Sequence, residues 1–242
     1  VFVGLNPGLQ TAAQGHAYAH PSNHFWKLLF TSGCTTRRMH HTEDRSLPEL
    51  YSFGITNIVA RPSRNNAELT KTEMDQRVPI LEAKVRKWKP ESVTIVGKSI
   101  WESIWRARYG RNIRKHEFKY GWQDECENMG MMSDAQFDAI ELDGGDRGGA
   151  PEVEVPGWKG AKVFVASTTS GAAAIPTPAE KQAIWRELGV WVEERRRERS
   201  RAVKKESVEV VEAGPASDDL PRRGSVTPCK CCIFSEGGCR WT

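Results

Sequence analysis

A chain of 242 residues and 27.2 kDa has the size of one globular α/β domain with some length to spare. Apolar residues at 38% suffice for a core, and no stretch approaches the roughly 18 consecutive apolar residues of a membrane-spanning helix. The net charge of +4 conceals a segregation: residues 1–123 carry 19 Lys/Arg against 10 Asp/Glu, residues 124–154 carry 1 against 10, and residues 155–242 carry 15 against 11. A basic body with one acidic segment suits a polyanionic partner. Cys34 and Cys126 stand apart, whereas Cys229, Cys231, Cys232 and Cys239 crowd into the tail. Such a pattern does not staple a body of this size, so a reducing compartment is expected. No basic-then-apolar segment reads as a leader, and Val1 lies inside an apolar run, so a natural start upstream is expected.

Val1–Leu5 reads as a buried strand running into the Asn6-Pro7-Gly8 turn. Residues 9–21 show no period and read as a loop. From Ser22 or Asn23 as N-cap, Phe25, Trp26, Leu28, Leu29 and Phe30 recur on one helical face until Gly33. Ile55–Val59 is a second strand. Pro79 argues for a break, or a late start, in the helix that would otherwise fill Thr70–Lys89. Ser92–Val96 is a third strand, Ser99–Tyr109 a helix and Lys162–Ala166 a fourth strand. Pro178 then opens a long helix reaching Glu193–Arg199. The alternation predicts an α/β fold: a three-layer α-β-α sandwich around a central, mainly parallel four-stranded sheet. Residues 1–200 form the expected domain. Residues 124–157, acidic and glycine-rich, read as a mobile insertion, and residues 201–242 as a disordered, cysteine-containing tail.

In a parallel sheet, function gathers outside the C-terminal strand ends, where Asn6, Asn57, Gly97 and Ser167 fall. Gly4-Leu-Asn-Pro-Gly8 brings backbone close to a ligand without Cβ interference, and the Asn6 amide with the Pro7 carbonyl suits a water or a polar ring edge; an ordinary strand-leaving turn has the same composition. Tyr18, on the loop Gly15-His-Ala-Tyr-Ala-His-Pro21, reads as a stacking residue or a surface aromatic. His16, His20 and His24 would align only on a helix, which Pro21 interrupts, so no metal and no other cofactor is expected. Asn57 offers an acceptor and donors to an amide-carbonyl ring edge, and Ser63 follows in the next turn. Ser167-Thr168-Thr169-Ser170-Gly171 fits a phosphate-holding loop or a plain connection. These loops contain no Asp or Glu, no Gly-x-Ser-x-Gly elbow and no Cys beside a motif His. Carboxylate-pair hydrolysis, metal hydrolysis and acyl transfer therefore lose their usual agents. A polar, uncharged site is left, suited to a neutral heterocycle and one water.

Gly4-Leu-Asn-Pro-Gly-Leu9, Gly15-His-Ala-Tyr-Ala-His-Pro21, Asn23-His-Phe-Trp-Lys-Leu28, Gly54-Ile-Thr-Asn-Ile-Val59 and Ile95-Val-Gly-Lys98 together resemble the mismatch-specific uracil/thymine-DNA glycosylases, over roughly residues 1–110 and 160–195. The resemblance implies a double-stranded DNA partner carrying a G·U or G·T mismatch and excision of the flipped base; a monomer is expected only by default. Asn6 would orient the attacking water with the Pro7 carbonyl. Gly4, Tyr18, Asn57 and Ser63 would border the base, with Tyr18 stacked on it. Ser167, Thr168, Thr169, Ser170 and Gly171 would form the wedge and phosphate loop. An amide positions water without being a strong base, so a slow enzyme is expected, with uracil the better substrate. The family pattern is broken at Gly171, which stands where an inserted Arg is common; a neighbour or Arg64 would have to plug the gap. The alternatives are a catalytically weak or silent DNA-binding module on the same scaffold, and a small-molecule nucleoside hydrolase. The run Arg195-Arg-Arg-Glu-Arg199 reads as a solvated helix end or as a nuclear-import or DNA-contact patch, and the expected compartment is the nucleus.

Overall fold

The apolar runs do become strands, and their side chains alternate between two helical layers. In the computed structural model, which describes residues 1–142 and 155–212, the sheet comprises β1 (Phe2–Gly4), β2 (Ile55–Asn57), β3 (Ser92–Val96), β4 (Gly121–Trp122) and β5 (Lys162–Ala166). The strand order is β2-β1-β3-β5-β4. All neighbours are parallel except β4 against β5. The expected four strands are thus joined by a fifth, antiparallel edge strand. Two residues, one of them Gly121 at φ 88°, are too few to display a period.

Seven α-helices accompany the sheet: α1 (Leu9–Gln14), α2 (Phe25–Thr31), α3 (Leu47–Tyr51), α4 (Lys71–Trp88), α5 (Lys98–Tyr109), α6 (Asp134–Asp138) and α7 (Pro178–Glu212) among the described residues. On one face, Val3, Val93, Ile95, Val163 and Val165 pack against α4 and α5 through Val78, Leu81, Ile100 and Trp101. On the other, Phe2, Val96, Phe164 and Ala166 meet α2 and α7 through Phe25, Leu29, Trp185 and Leu188. Adjacent residues such as Phe2 and Val3 point to opposite layers, as the pleat requires.

Three local expectations are corrected. Helix α4 runs unbroken through Pro79. Losing one backbone bond there costs about 3 kcal/mol, but Pro79 faces solvent while Met74, Val78, Leu81 and Val85 on both sides of it are buried, each worth about 1.5–3 kcal/mol. Helix α1 replaces part of the expected loop; it buries no residue, so it carries no apolar period. Helix α7 passes the expected boundary at Arg201 and continues to Glu212.

The acidic stretch is structured over 124–142. Arg108 pairs with Glu82 (2.7 Å) and the buried Glu127 (2.8 Å), Tyr109 donates to Glu127 (2.6 Å), and the Gly130 N–H donates to Glu82 (2.6 Å). These bonds fasten it to α4 and α5. Residues 143–154 of the expected insertion and the four tail cysteines lie outside the described residues. Much of the basic run on α7 is taken up in packing. Arg195 and Arg199 both pair with Glu91, whose carboxyl they hold down at about 2. Arg196 donates to the Cys34 carbonyl (2.5 Å) and lies over the Tyr51 and Phe53 rings.

Helix α7 meets the end of α2 at Gly189, where an added Cβ would run into the Ser32 carbonyl oxygen. In an open helix Gly→Ala gains about 1 kcal/mol. Here Gly189→Ala is expected to reverse that sign and lower stability by about 1–3 kcal/mol, the range for overpacking. A lower urea midpoint at unchanged slope would register it.

Candidate active site

The pairing of β1 with β2 sets Gly4 directly opposite Asn57. Gly4 has no room for a side chain. A Cβ there would collide with Asn57 Oδ1 and lie 2.8 Å from the Tyr18 hydroxyl. Gly4, Tyr18 and Asn57 therefore converge, and glycine is what allows it.

Two residues on, Asn6 is fixed from below. Its Nδ2 donates to the Arg61 carbonyl (3.0 Å) and to Ser63 Oγ (2.8 Å). A carbonyl only accepts, so the atom facing Arg61 is the amide nitrogen and Oδ1 is left to accept from another donor. Ser63 passes its own proton to the Asn65 carbonyl (2.9 Å), and its N–H donates to the Pro7 carbonyl (3.2 Å). Ser63 is 3% exposed. It is thus a strut beneath Asn6. The Pro7 carbonyl has one lone pair engaged by that strut and one remaining. Arg61 holds the turn by a two-point pair with Glu73 (2.6 and 2.8 Å) and a bond to the Glu68 carbonyl (2.8 Å).

Tyr18 stands at φ 53°, a left-handed conformation uncommon for a bulky side chain. Its ring stacks on Phe25 with centroids 3.9 Å apart. Its hydroxyl is buried with no hydrogen-bond partner among the described residues, and burial pushes the phenol far above its ordinary range, so it stays protonated. A carboxylate reaches this loop after all. Asp44, from the 3-10 turn His41–Ser46, contacts His16 Nδ1 (3.0 Å) and accepts from the Ala17 N–H (2.7 Å). Sequence order hides it, because Asp44 lies in an ordinary polar stretch remote from the motif. Beside Tyr18 opens a cleft of about 460 Å³ whose walls include Trp26, Lys27, Arg38 and His40.

The loop after β5 divides its residues. Ser167 and Thr169 are buried: Ser167 Oγ accepts from the Trp185 indole (3.2 Å) and the Thr169 carbonyl from the His24 N–H (2.8 Å). The Ser167 hydroxyl and the Thr169 backbone carbonyl thus hold the loop from within. Thr168 and Ser170 are half-buried and Gly171 is exposed. Lys181, 4% exposed, clamps the turn by donating to the carbonyls of Ser170 (3.3 Å) and Ala173 (2.7 Å). A Cβ at Gly171 would strike the Ser22 carbonyl oxygen. Beyond it Ile175 is 86% exposed, the most exposed large apolar side chain among the described residues.

Both bonds that fix Asn6 come from neutral groups. The arrangement leaves Asn6 Oδ1 as an uncharged acceptor close to the converging Gly4, Asn57 and Tyr18.

Two comparisons bear on that geometry. A G/U mismatch-specific uracil DNA glycosylase of Schizosaccharomyces pombe is 41% identical over 128 residues, 52% of this chain and 39% of the relative. The alignment thus spans well under half the length of that relative. The profile of the uracil DNA glycosylase superfamily matches residues 1–189, from β1 into α7, and takes in every residue of the site just described. The chain belongs to the uracil DNA glycosylase superfamily.

Proposed function

We propose that this protein is a mismatch-directed DNA glycosylase, which hydrolyses the N-glycosidic bond of uracil, and more slowly of thymine, opposite guanine in duplex DNA. The products are the free base and an abasic site, and the compartment is the nucleus. The observation that carries the reading is the immobilised Asn6 amide, with Nδ2 bound to the Arg61 carbonyl and to Ser63 Oγ so that Oδ1 is left as an acceptor. Superfamily membership and the name of the yeast relative support it.

The chemistry follows from what the site contains. A flipped pyrimidine lies on Tyr18 and presents its polar edge to Asn57. A water donates one hydrogen bond to Asn6 Oδ1, which aims a lone pair at C1′. The C1′–N1 bond breaks, its electron pair departs with the pyrimidine as an anion, water oxygen bonds to C1′, and the surplus proton passes to solvent. Asn6 cannot take that proton, since an amide has no useful basicity near neutrality. The rate therefore depends on how readily the base leaves, and uracil, lacking the electron-releasing 5-methyl group, leaves more readily than thymine. Flipping costs a few kcal/mol and least at a mismatch, which favours bases opposite guanine over paired ones. Thr168 and Ser170 are the hydroxyls of the β5 loop available to phosphate, and Ile175 is the apolar tip suited to fill the vacated space.

Asn6→Ala is expected to lower single-turnover excision from a G·U duplex at least ~100-fold, the scale of losing one preorganised polar contact at a reacting centre. Duplex affinity should stay within about twofold, since phosphate contacts dominate it. Absence of excision by the wild-type protein on G·U, G·T and single-stranded uracil substrates would overturn the reading. Gly171→Arg restores the side chain common in the family yet is expected to reduce excision, because its Cβ meets the Ser22 carbonyl. Ile175→Ser should slow excision from duplex by about 10-fold, the equivalent of ~1.4 kcal/mol. Single-stranded substrate, which leaves no gap to fill, should be cut at the wild-type rate; equal loss on both substrates would remove Ile175 from the wedge.

A further inference from the structure

The residue that would stack on the base is held in a backbone conformation that it does not favour, and the surroundings that hold it are visible. Tyr18 is at φ 53°; such conformations persist only where neighbouring bonds over-determine them. Ala17 just before it is tied on both sides: its N–H donates to Asp44 Oδ2 (2.7 Å), and its carbonyl accepts from the Trp26 indole (3.2 Å). Asp44 Oδ1 holds His16 (3.0 Å). After Tyr18, the Ala19 N–H points to Thr11 Oγ1 (3.3 Å).

Asp44 itself stands on fixed ground. In the same turn Glu43 takes a two-point contact from Arg37 (2.5 and 3.2 Å) and the His40 N–H (2.8 Å), and Leu47 behind it is buried. Adjacent carboxylates thus divide the work. Glu43 closes the turn on itself, and Asp44, with 12% of its side chain exposed, reaches across 27 residues of sequence to the Tyr18 loop.

We propose that Asp44 is a positioning residue for base excision, which fixes Tyr18 beneath the flipped base by gripping His16 and the Ala17 amide. The inference rests on the glycosylase reading for its consequence, though the grip itself does not. Asp44 touches no reacting atom. It acts through Tyr18 alone, and that dependence is what an experiment can separate from a general structural role.

The test is a double-mutant cycle on single-turnover excision from G·U duplex, with Asp44→Ala, Tyr18→Ala and the pair, run where each variant is folded by circular dichroism. Asp44→Ala should slow excision ~10- to 100-fold, the scale of misplacing a group by about 1 Å, with duplex affinity within twofold of wild type. In the Tyr18→Ala background the same change should cost less than twofold. Asp44→Asn keeps an acceptor for Ala17 and a donor for His16, and should restore excision to within about threefold of wild type. Trp26→Phe removes only the indole donor to the Ala17 carbonyl, and reports on the same grip if Asp44→Ala fails to fold; its loss too should vanish without Tyr18. Amide hydrogen exchange, which needs no activity, should accelerate at residues 17–19 in Asp44→Ala and not in the β-sheet. Equal losses with and without Tyr18, or unchanged exchange at residues 17–19, would overturn the inference. An inactive wild type with accelerated exchange in Asp44→Ala would instead overturn the glycosylase reading and leave the grip standing.

Discussion

The site depends on one close approach, that of β1 to β2 at their C-terminal ends. Register pairs Gly4 with Asn57, and the missing Cβ lets Asn57 and the Tyr18 hydroxyl share the space beside it. Everything else in the site is measured from that point. The next residues leave the strand and deliver Asn6 onto the Arg61–Ser63 turn, which is itself the continuation of β2. Two neighbouring strands thus supply the Gly4–Asn57 wall, the Asn6 amide and the strut beneath it. The sheet is buried on both faces, so the core fixes the strand ends from which the site's loops are held.

Charge has been moved out of the centre and into the supports. Arg61 with Glu73, Asp44 with His16, and Arg37 with Glu43 all lie behind or beside the polar groups, each fixing a loop. Lys181 does the same for the β5 loop by using carbonyls as its partners. An ion pair on a surface contributes little to stability, but a two-point contact to a backbone amide or carbonyl specifies where a loop sits. The fold uses its charges for placement.

That division explains what could be read without coordinates. The placement of Gly4, Asn6 and Asn57 is legible because they stand at or just beyond the C-terminal ends of apolar runs, where a parallel sheet gathers its loops. The layers are legible too, since β1, β3 and β5 are apolar runs and α2 and α7 carry aromatic and aliphatic faces. The supports are not. Asp44 and Ala17, or Lys181 and Ser170, meet through the folded chain, and neither carries a local pattern. Ser63 and Ser167 look like ligand-facing hydroxyls in sequence, and only the folded chain reveals that they bond inward, to Asn6, Asn65 and Trp185. Helix α1 and strand β4 escape for a simpler reason: one buries nothing and the other has two residues.

The neutrality of the reacting centre is a consequence of its framework. The Arg61 carbonyl and the Ser63 hydroxyl, already donating to Asn65, both require a donor from position 6. A carboxylate there would set acceptor against acceptor, and a hydroxyl would satisfy only one of the two. The amide alone satisfies both and still has an acceptor for water. The same requirement forgoes a general base, so this centre gains no driving force from proton removal. On the proposed glycosylase reading, a centre so built would act on bases that already unpair easily and leave readily. Preference for a mispaired uracil then needs no dedicated reader of the opposite guanine to begin with. Such a reader sharpens the choice, and on the proposed glycosylase reading a chain with glycine at position 171 would keep the part that the chemistry supplies.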